Sequence, residues 1–210
     1  MTDRILFNHI PKCAGSTVTD WLKESYPLEE QSHTDCWDLR PSIERWKRQT
    51  QRERHAPRLI TGHESIKLLP YAHPEMNPIT TVRHPVGRTI SLFYFYRQQG
   101  KRFGDDMNFD KFIRVGWAEN YYSYLGGAEG MRNTFALIGF QENLNPFARE
   151  AKARFGLKTE IRKRRLNAVA HPRVIDLPKQ TIQALRKILE ADIADYEAMR
   201  SQATSGFLSW

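Results

Sequence analysis

The stretch ILFNHIPKCAGSTVTDWL, residues 5–22, decides the fold. Residues 4–10 form a near-continuous apolar run, as a strand buried on both faces of a parallel sheet requires. Val18, Trp21, Leu22 and, just beyond, Tyr26 recur at helical spacing, with Ser16 or Thr17 as cap candidates and Pro27 as the stop. A tight loop carrying one lysine joins the two elements. First-turn N–H groups of a helix have no intrahelical partner, and the helix dipole favours negative charge there. Lys12 adds a mobile ammonium, and Gly15 is expected to let the backbone approach a ligand closely. Strand, lysine loop and helix together have the architecture of a phosphate cradle.

Outward from this loop, residues 28–57 form a polar, charged excursion. Its second half carries Arg45, Lys47, Arg48, Arg52, Arg54 and Arg58, readable as a solvated helix face or as a landing strip for an acidic acceptor. Further strands are expected at 58–62, 78–83 and 135–140. Helices are expected at 86–99, through Phe109, Phe112 and Ile113 with Asp106 or Asn108 as cap, and at 143–155. Pro178 opens a final amphipathic helix whose stripe runs through Ile182, Leu185, Leu189, Ile193, Tyr196 and Met199. Strands separated by helices imply an α/β fold, a central parallel sheet in a three-layer α/β/α arrangement. Ligands of such sheets bind beyond the carboxyl ends of the strands. Lys12–Thr17, Gly62–His63 and Arg83–Ser91 all follow an expected strand end.

The chain has 210 residues, 40% of them hydrophobic, and a formal net charge of +8. That length suits one domain, 1–210, with a real core. The basic balance points to an anionic ligand without choosing among nucleotide, nucleic acid, acidic glycan and lipid. There is no run of eighteen apolar residues and no signal-peptide pattern. Cys13 and Cys36 offer neither a disulfide framework nor metal spacing, so a cytoplasmic setting is expected. Cys13, near a helix N-terminus, is a candidate for a lowered thiol pKa.

The loop differs from the triphosphate-binding pattern G-x-x-x-x-G-K-[ST]: lysine comes before the glycine, and no GK[ST] occurs anywhere. HIPKCAGST (9–17) instead resembles the 5′-phosphosulfate loop of sulfotransferases that use 3′-phosphoadenosine-5′-phosphosulfate (PAPS). It is most similar to the carbohydrate group, sulfotransferase family 2, which includes the heparan and dermatan 2-O-sulfotransferases. Cys13 stands where that group usually has threonine. RHPVGRTIS (83–91) is similar to the family's 3′-phosphate form R-x-P-x-x-R-x-x-S, and TGHE (61–64) resembles its G-H element. The resemblance implies a P-loop-like fold and an in-line transfer of a sulfuryl group from PAPS to a hydroxyl.

On that resemblance, Lys12, Cys13, Ala14, Gly15, Ser16 and Thr17 hold the 5′-phosphosulfate, and Lys12 also serves catalysis. Arg83 and Ser91 hold the 3′-phosphate, and His63 is the base, with Glu64 as the fallback. His9 is read as core or loop support, and His84 as a candidate to orient the phosphate site. Arg164 and Arg165 lie where relatives fold a loop over the nucleotide. NYYSYLGG (120–127) resembles an N-x-Q-T-R-x-L-x-G element near the acceptor, with Tyr122, Ser123 and Tyr124 replacing Gln, Thr and Arg. A saccharide acceptor is implied, with no metal, no nucleic acid and no membrane span. Eukaryotic members carry an N-terminal anchor that this chain lacks, as expected of a bacterial or shortened chain. The competing readings are a nucleotide kinase-like enzyme, a basic nucleic-acid or glycan-binding protein, and a family member that binds nucleotide without transferring sulfate.

Overall fold

The computed structural model describes residues 3–34, 40–99, 107–114, 120–161, 172–203 and 206–209. In order these form β1 (Ile5–Asn8), α1 (Gly15–Lys23), a 3-10 turn (Leu28–Glu30), β2 (Gln31–Thr34), α2 (Arg40–Arg48), α3 (Gln51–His55), β3 (Leu59–Gly62), a 3-10 helix (Ser65–Tyr71) and β4 (Asn77–Val82). Next come α4 (Pro85–Gln99), α5 (Phe109–Arg114), α6 (Tyr121–Tyr124), α7 (Gly127–Thr134), β5 (Leu137–Phe140) and α8 (Leu144–Phe155). A 3-10 turn (Val174–Asp176), α9 (Lys179–Ile188), α10 (Glu190–Gln202) and β6 (Phe207–Ser209) complete the chain. Two compact units result: Met1–Val82 with Asn133–Leu166 and Ala203–Trp210, and Arg83–Arg132 with Asn167–Gln202.

The first unit holds the sheet, ordered β2-β3-β1-β4-β5-β6. Neighbours are parallel up to β5, and β6 closes the edge antiparallel. β1 is central, and its alternation divides the core. Ile5 and Phe7 pack with Val18, Trp21 and Leu22 of α1 and Phe147, Ala151 and Phe155 of α8. Leu6 faces the other way, with Ile60, Trp46 of α2 and Leu68 of the 3-10 helix. Helices therefore cover both faces of a strand whose four residues are all buried, as its near-continuous apolar run leads one to expect. Each such fully buried Phe or Leu contributes about 1.5–3 kcal/mol. Asn8 pairs with Gly62 on one side and Thr80 on the other, so β3, β1 and β4 end at one edge.

The second unit packs Val86, Ile90 and Phe93 of α4 against Phe112 of α5 and Leu185 and Leu189 at α9. Asn108 caps α5, its side-chain oxygen accepting from the Lys111 N–H at 2.8 Å. The expected final helix is two helices, with Leu189 between them at φ −99, ψ 17. Hydrogen bonds run through the break, Leu189 N–H to the Leu185 carbonyl and Ile193 N–H to the Leu189 carbonyl, so the apolar stripe continues unbroken. Asp192 and Asp195 of α10 cap two other helices. Asp192 Oδ1 accepts from the Tyr122 and Ser123 N–H groups of α6, and Asp195 Oδ1 accepts from Ala128 of α7. Carboxylates at helix N-termini complement both the unpaired amides and the dipole.

Candidate active site

The chain passes from β1 to α1 through a loop with two left-handed non-glycine residues, Lys12 at φ 66 and Ala14 at φ 65. Each such residue costs about 1–3 kcal/mol and persists only where its surroundings fix it. Here the Cys13 N–H donates to the Ile10 carbonyl at 3.3 Å, and the Thr81 hydroxyl of β4 donates to the Cys13 carbonyl at 2.6 Å. Ala14, not Ser16 or Thr17, is the N-cap. Its left-handed backbone makes the turn that a capping side chain makes elsewhere, leaving Ser16 and Thr17 inside the first turn. The first α1 bond runs from Val18 N–H to the Ala14 carbonyl, so the Gly15, Ser16 and Thr17 amides precede the ladder at the positive end of the dipole. Cys13 is fully buried, its thiol toward the Pro11 carbonyl, away from solvent oxidants.

Gly15 has a different reason for being glycine than the sequence suggests. A Cβ there would fall on the His9 imidazole. The glycine admits a ring, and that ring stacks on His63 with centroids 4.2 Å apart and planes at 26°. Nδ1 of His63 lies 2.9 Å from the His9 carbonyl oxygen, which only accepts, so Nδ1 carries the proton and Nε2 carries the lone pair. Burial holds the His63 pKa below 6.5; the His9 carbonyl bond opposes this, nearby His33 adds to it, and Glu64 opposes it. His9 is pushed down to about 3 by burial first, then by His63, His33 and Lys12. Both rings are therefore neutral near pH 7, and His63 has the protonation state a base needs.

His33, which the sequence reading does not single out, lies close enough to His9 and His63 to lower the pKa of both. It sits on β2, a polar strand without an apolar signature, and its Nδ1 lies 2.8 Å from the Thr61 hydroxyl. Glu64, the alternative base, is drawn into an ion pair with Lys67 at 2.7 Å. Gly62 has φ 147, and a Cβ there would collide with Thr34 of the adjacent strand. Among the described residues, no group of three or more His, Cys, Asp or Glu side chains is arranged to hold a metal.

Arg83, the residue after β4, opens the second unit. Its N–H donates to the Tyr122 hydroxyl at 2.8 Å, and its carbonyl accepts from the same hydroxyl at 2.5 Å. Its side chain lies along the first turn of α4, where a Cβ on Gly87 would stand 3.3 Å from Nε. Ser91 is buried on the second turn of α4. Arg88 is fully buried, its guanidinium 5.3 Å from the Tyr121 ring centre. Burial raises the pKa of Asp192, against the Ser123 and Tyr122 amide bonds and the Arg88 charge. His84 packs edge-on to Tyr196 and lines a cavity of about 500 Å³ with Arg186, Lys187, Glu190, Ile193 and Glu197.

Arg164 and Arg165 lie outside the described residues, as does Cys36. Within the basic stretch 45–58, Arg58 is tied to Glu30 and Asp3 and Lys47 to Glu44, while Arg45, Arg48 and Arg52 face solvent. Among the described residues, no helix is long and apolar enough to cross a membrane.

A parallel sheet with helices on both faces and a lysine loop at its carboxyl edge defines an α/β protein of the nucleotide-binding kind. The family model described as "Sulfotransferase family" matches residues 1–197, and the chain belongs to that enzyme family. Two solved structures share the fold. One is a mouse sulfotransferase, SULT7A1, complexed with PAP: TM-score 0.56 and 12% identity, covering 96% of this chain and 88% of that one. The other is a sulfotransferase from Alicyclobacillus acidocaldarius: TM-score 0.58 and 11% identity, covering 93% and 94%. A search of curated proteins returned no match.

Proposed function

We propose that this chain is a PAPS-dependent O-sulfotransferase of the carbohydrate group, with residues 1–210 forming its catalytic domain. The observation that carries this reading is the strained Lys12–Ala14 loop opening α1 beside a His63 fixed with its lone pair on Nε2. Lys12 and the backbone from Cys13 through Ala14, Gly15, Ser16 and Thr17 hold the 5′-phosphosulfate. Arg83 and Ser91 hold the 3′-phosphate, and Arg164 and Arg165 add charge around the nucleotide. In the reaction the S–O bond to the 5′-phosphate breaks as a new S–O bond forms to the acceptor oxygen. The acceptor proton passes to His63 Nε2, and negative charge grows on the leaving phosphate oxygen, where Lys12 neutralises it. The products are 3′-phosphoadenosine-5′-phosphate (PAP), the sulfate ester and a proton released from His63. Most of the rate enhancement comes from positioning and charge stabilisation.

A saccharide acceptor is supported by the net charge of +8 and by the motif resemblance. The scarcity of cysteine fits a cytoplasmic enzyme. The mouse sulfotransferase was solved with PAP, which supports the same donor product here. The test is thermal shift with PAP against ADP and ATP–magnesium. PAP at a hundred times its Kd is expected to add about 2.7 kcal/mol, with a smaller effect from ADP. No shift with PAP, or a larger one with ATP–magnesium, overturns the donor assignment.

A further inference from the structure

We propose that Tyr122 is a positioning residue for Arg83, and that its hydroxyl sets how strongly the protein prefers a nucleotide with a 3′-phosphate to one without. The proposal rests on the reading of Arg83 as the 3′-phosphate ligand. Tyr122 is fully buried, 39 positions along the chain from Arg83. One phenol oxygen accepts the Arg83 N–H at 2.8 Å and gives its proton to the Arg83 carbonyl at 2.5 Å. Both backbone polar groups of one residue are thus held by one hydroxyl.

The place where this happens matters. Arg83 falls between two hydrogen-bond ladders. The β4–β5 ladder ends with Gln141 N–H on the Val82 carbonyl, and the α4 ladder begins with Arg88 N–H on the His84 carbonyl. The Tyr122 clamp fixes the backbone at this junction, and with it the origin of the guanidinium that lies along Gly87. An arginine fork recognises phosphate only when its planar donors are correctly aimed. Tyr122 is itself fixed from behind. Its own N–H and that of Ser123 both donate to Asp192 Oδ1 at 2.9 Å, and the Arg88 guanidinium covers the neighbouring Tyr121 ring. A phenylalanine ring would fill the same buried space; what the hydroxyl adds is the pair of bonds to Arg83.

Tyr122→Phe keeps the ring and removes the clamp. Calorimetric titration with PAP and with ADP is expected to show PAP affinity falling about tenfold, the loss of a paired hydrogen bond, with ADP affinity unchanged. The KM for PAPS rises by the same factor while kcat at saturating donor stays within about twofold. In an Arg83→Ala background, Tyr122→Phe has no further effect on PAP. An unchanged PAP-to-ADP ratio, or an equal loss in both backgrounds, overturns the proposal and leaves Tyr122 a core residue. Should Tyr122→Phe not fold, Asp192→Asn loosens the α6 cap while sparing the hydroxyl. A lowered PAP-to-ADP ratio in it supports the proposal and an unchanged one overturns it. A wild-type protein that binds ADP as well as PAP overturns the underlying reading of Arg83 instead.

Discussion

The loop from β1 to α1 and the corner from β4 to α4 are both strand-to-helix turns, yet they are held in opposite ways. The first is a backbone device. Two left-handed residues, a glycine pressed by His9 and a threonine bond to the Cys13 carbonyl shape a surface of amides. The second is a side-chain device, one arginine whose backbone is clamped by a tyrosine from a distant helix. A backbone cradle is written in consecutive residues, whereas a clamped arginine depends on a contact that the chain must fold to make.

The sharpest break between the two is kinetic. His63→Ala is expected to lower kcat about 100- to 10,000-fold with PAP affinity retained, because in the proposed reaction His63 meets the acceptor and not the nucleotide. The acid limb of kcat/KM in the wild type should lie below pH 6.5, since burial lowers the His63 pKa and activity falls only as that lone pair is protonated. Arg83→Ala should do the reverse, weakening PAP about 10- to 100-fold while kcat at saturating donor is kept. Titration calorimetry and initial rates on the same two variants separate the roles; parallel losses in both would merge them.

One substitution made at both turns sharpens the comparison next. Gly15→Ala drives a Cβ into the His9 ring and should cost about 1–3 kcal/mol in denaturant unfolding, with much of it recovered in a Gly15→Ala/His9→Ala double variant. For Gly87→Ala the atoms nearest the new Cβ belong to the Arg83 guanidinium, Nε at 3.3 Å, so stability should hold or rise slightly, and any effect should appear in PAP affinity.

The last contrast concerns acid. The unfolded chain protonates His9 near pH 6.5, but the folded protein resists protonation down to about 3. Between those values the unfolded state binds more protons, so stability falls as the pH drops through that window. The slope is at most about 1.4 kcal/mol per pH unit, and His9→Phe should flatten it in unfolding curves taken at successive pH values. No such flattening is expected from Arg83→Ala, since arginine does not titrate in that range.

The expectations that the structure meets and those it corrects divide along the same line. β1, β3, β4 and β5 are legible because their buried residues are mostly apolar or β-branched, as strands covered on both faces favour. β2 is not, because an edge strand reading Gln31-Ser-His-Thr34 pairs on one side only and needs no apolar run. His33 is hidden with it. The stripe from Ile182 to Met199 predicts its buried face correctly but not the break at Leu189, since the spacing survives the break. Arg58 reads as part of a basic strip, yet it is an ion-pair partner of Asp3 and Glu30. Tyr122 reads as a departure from an acceptor motif and proves to be an internal anchor.

The sequence by itself determined the α/β class, the central strand, the lysine loop at its end and the family to which the chain belongs. These follow from residues adjacent in the chain, through periodicity, backbone freedom and motif order. Only the tertiary structure decided that Ala14 caps α1, that Gly15 makes room for His9, that a carbonyl sets the His63 tautomer and that Tyr122 holds Arg83. Except for the Ala14 cap, a backbone conformation that no residue type there demands, each of these is a contact between residues that local preference does not bring together. Such contacts form only when packing closes the chain on itself.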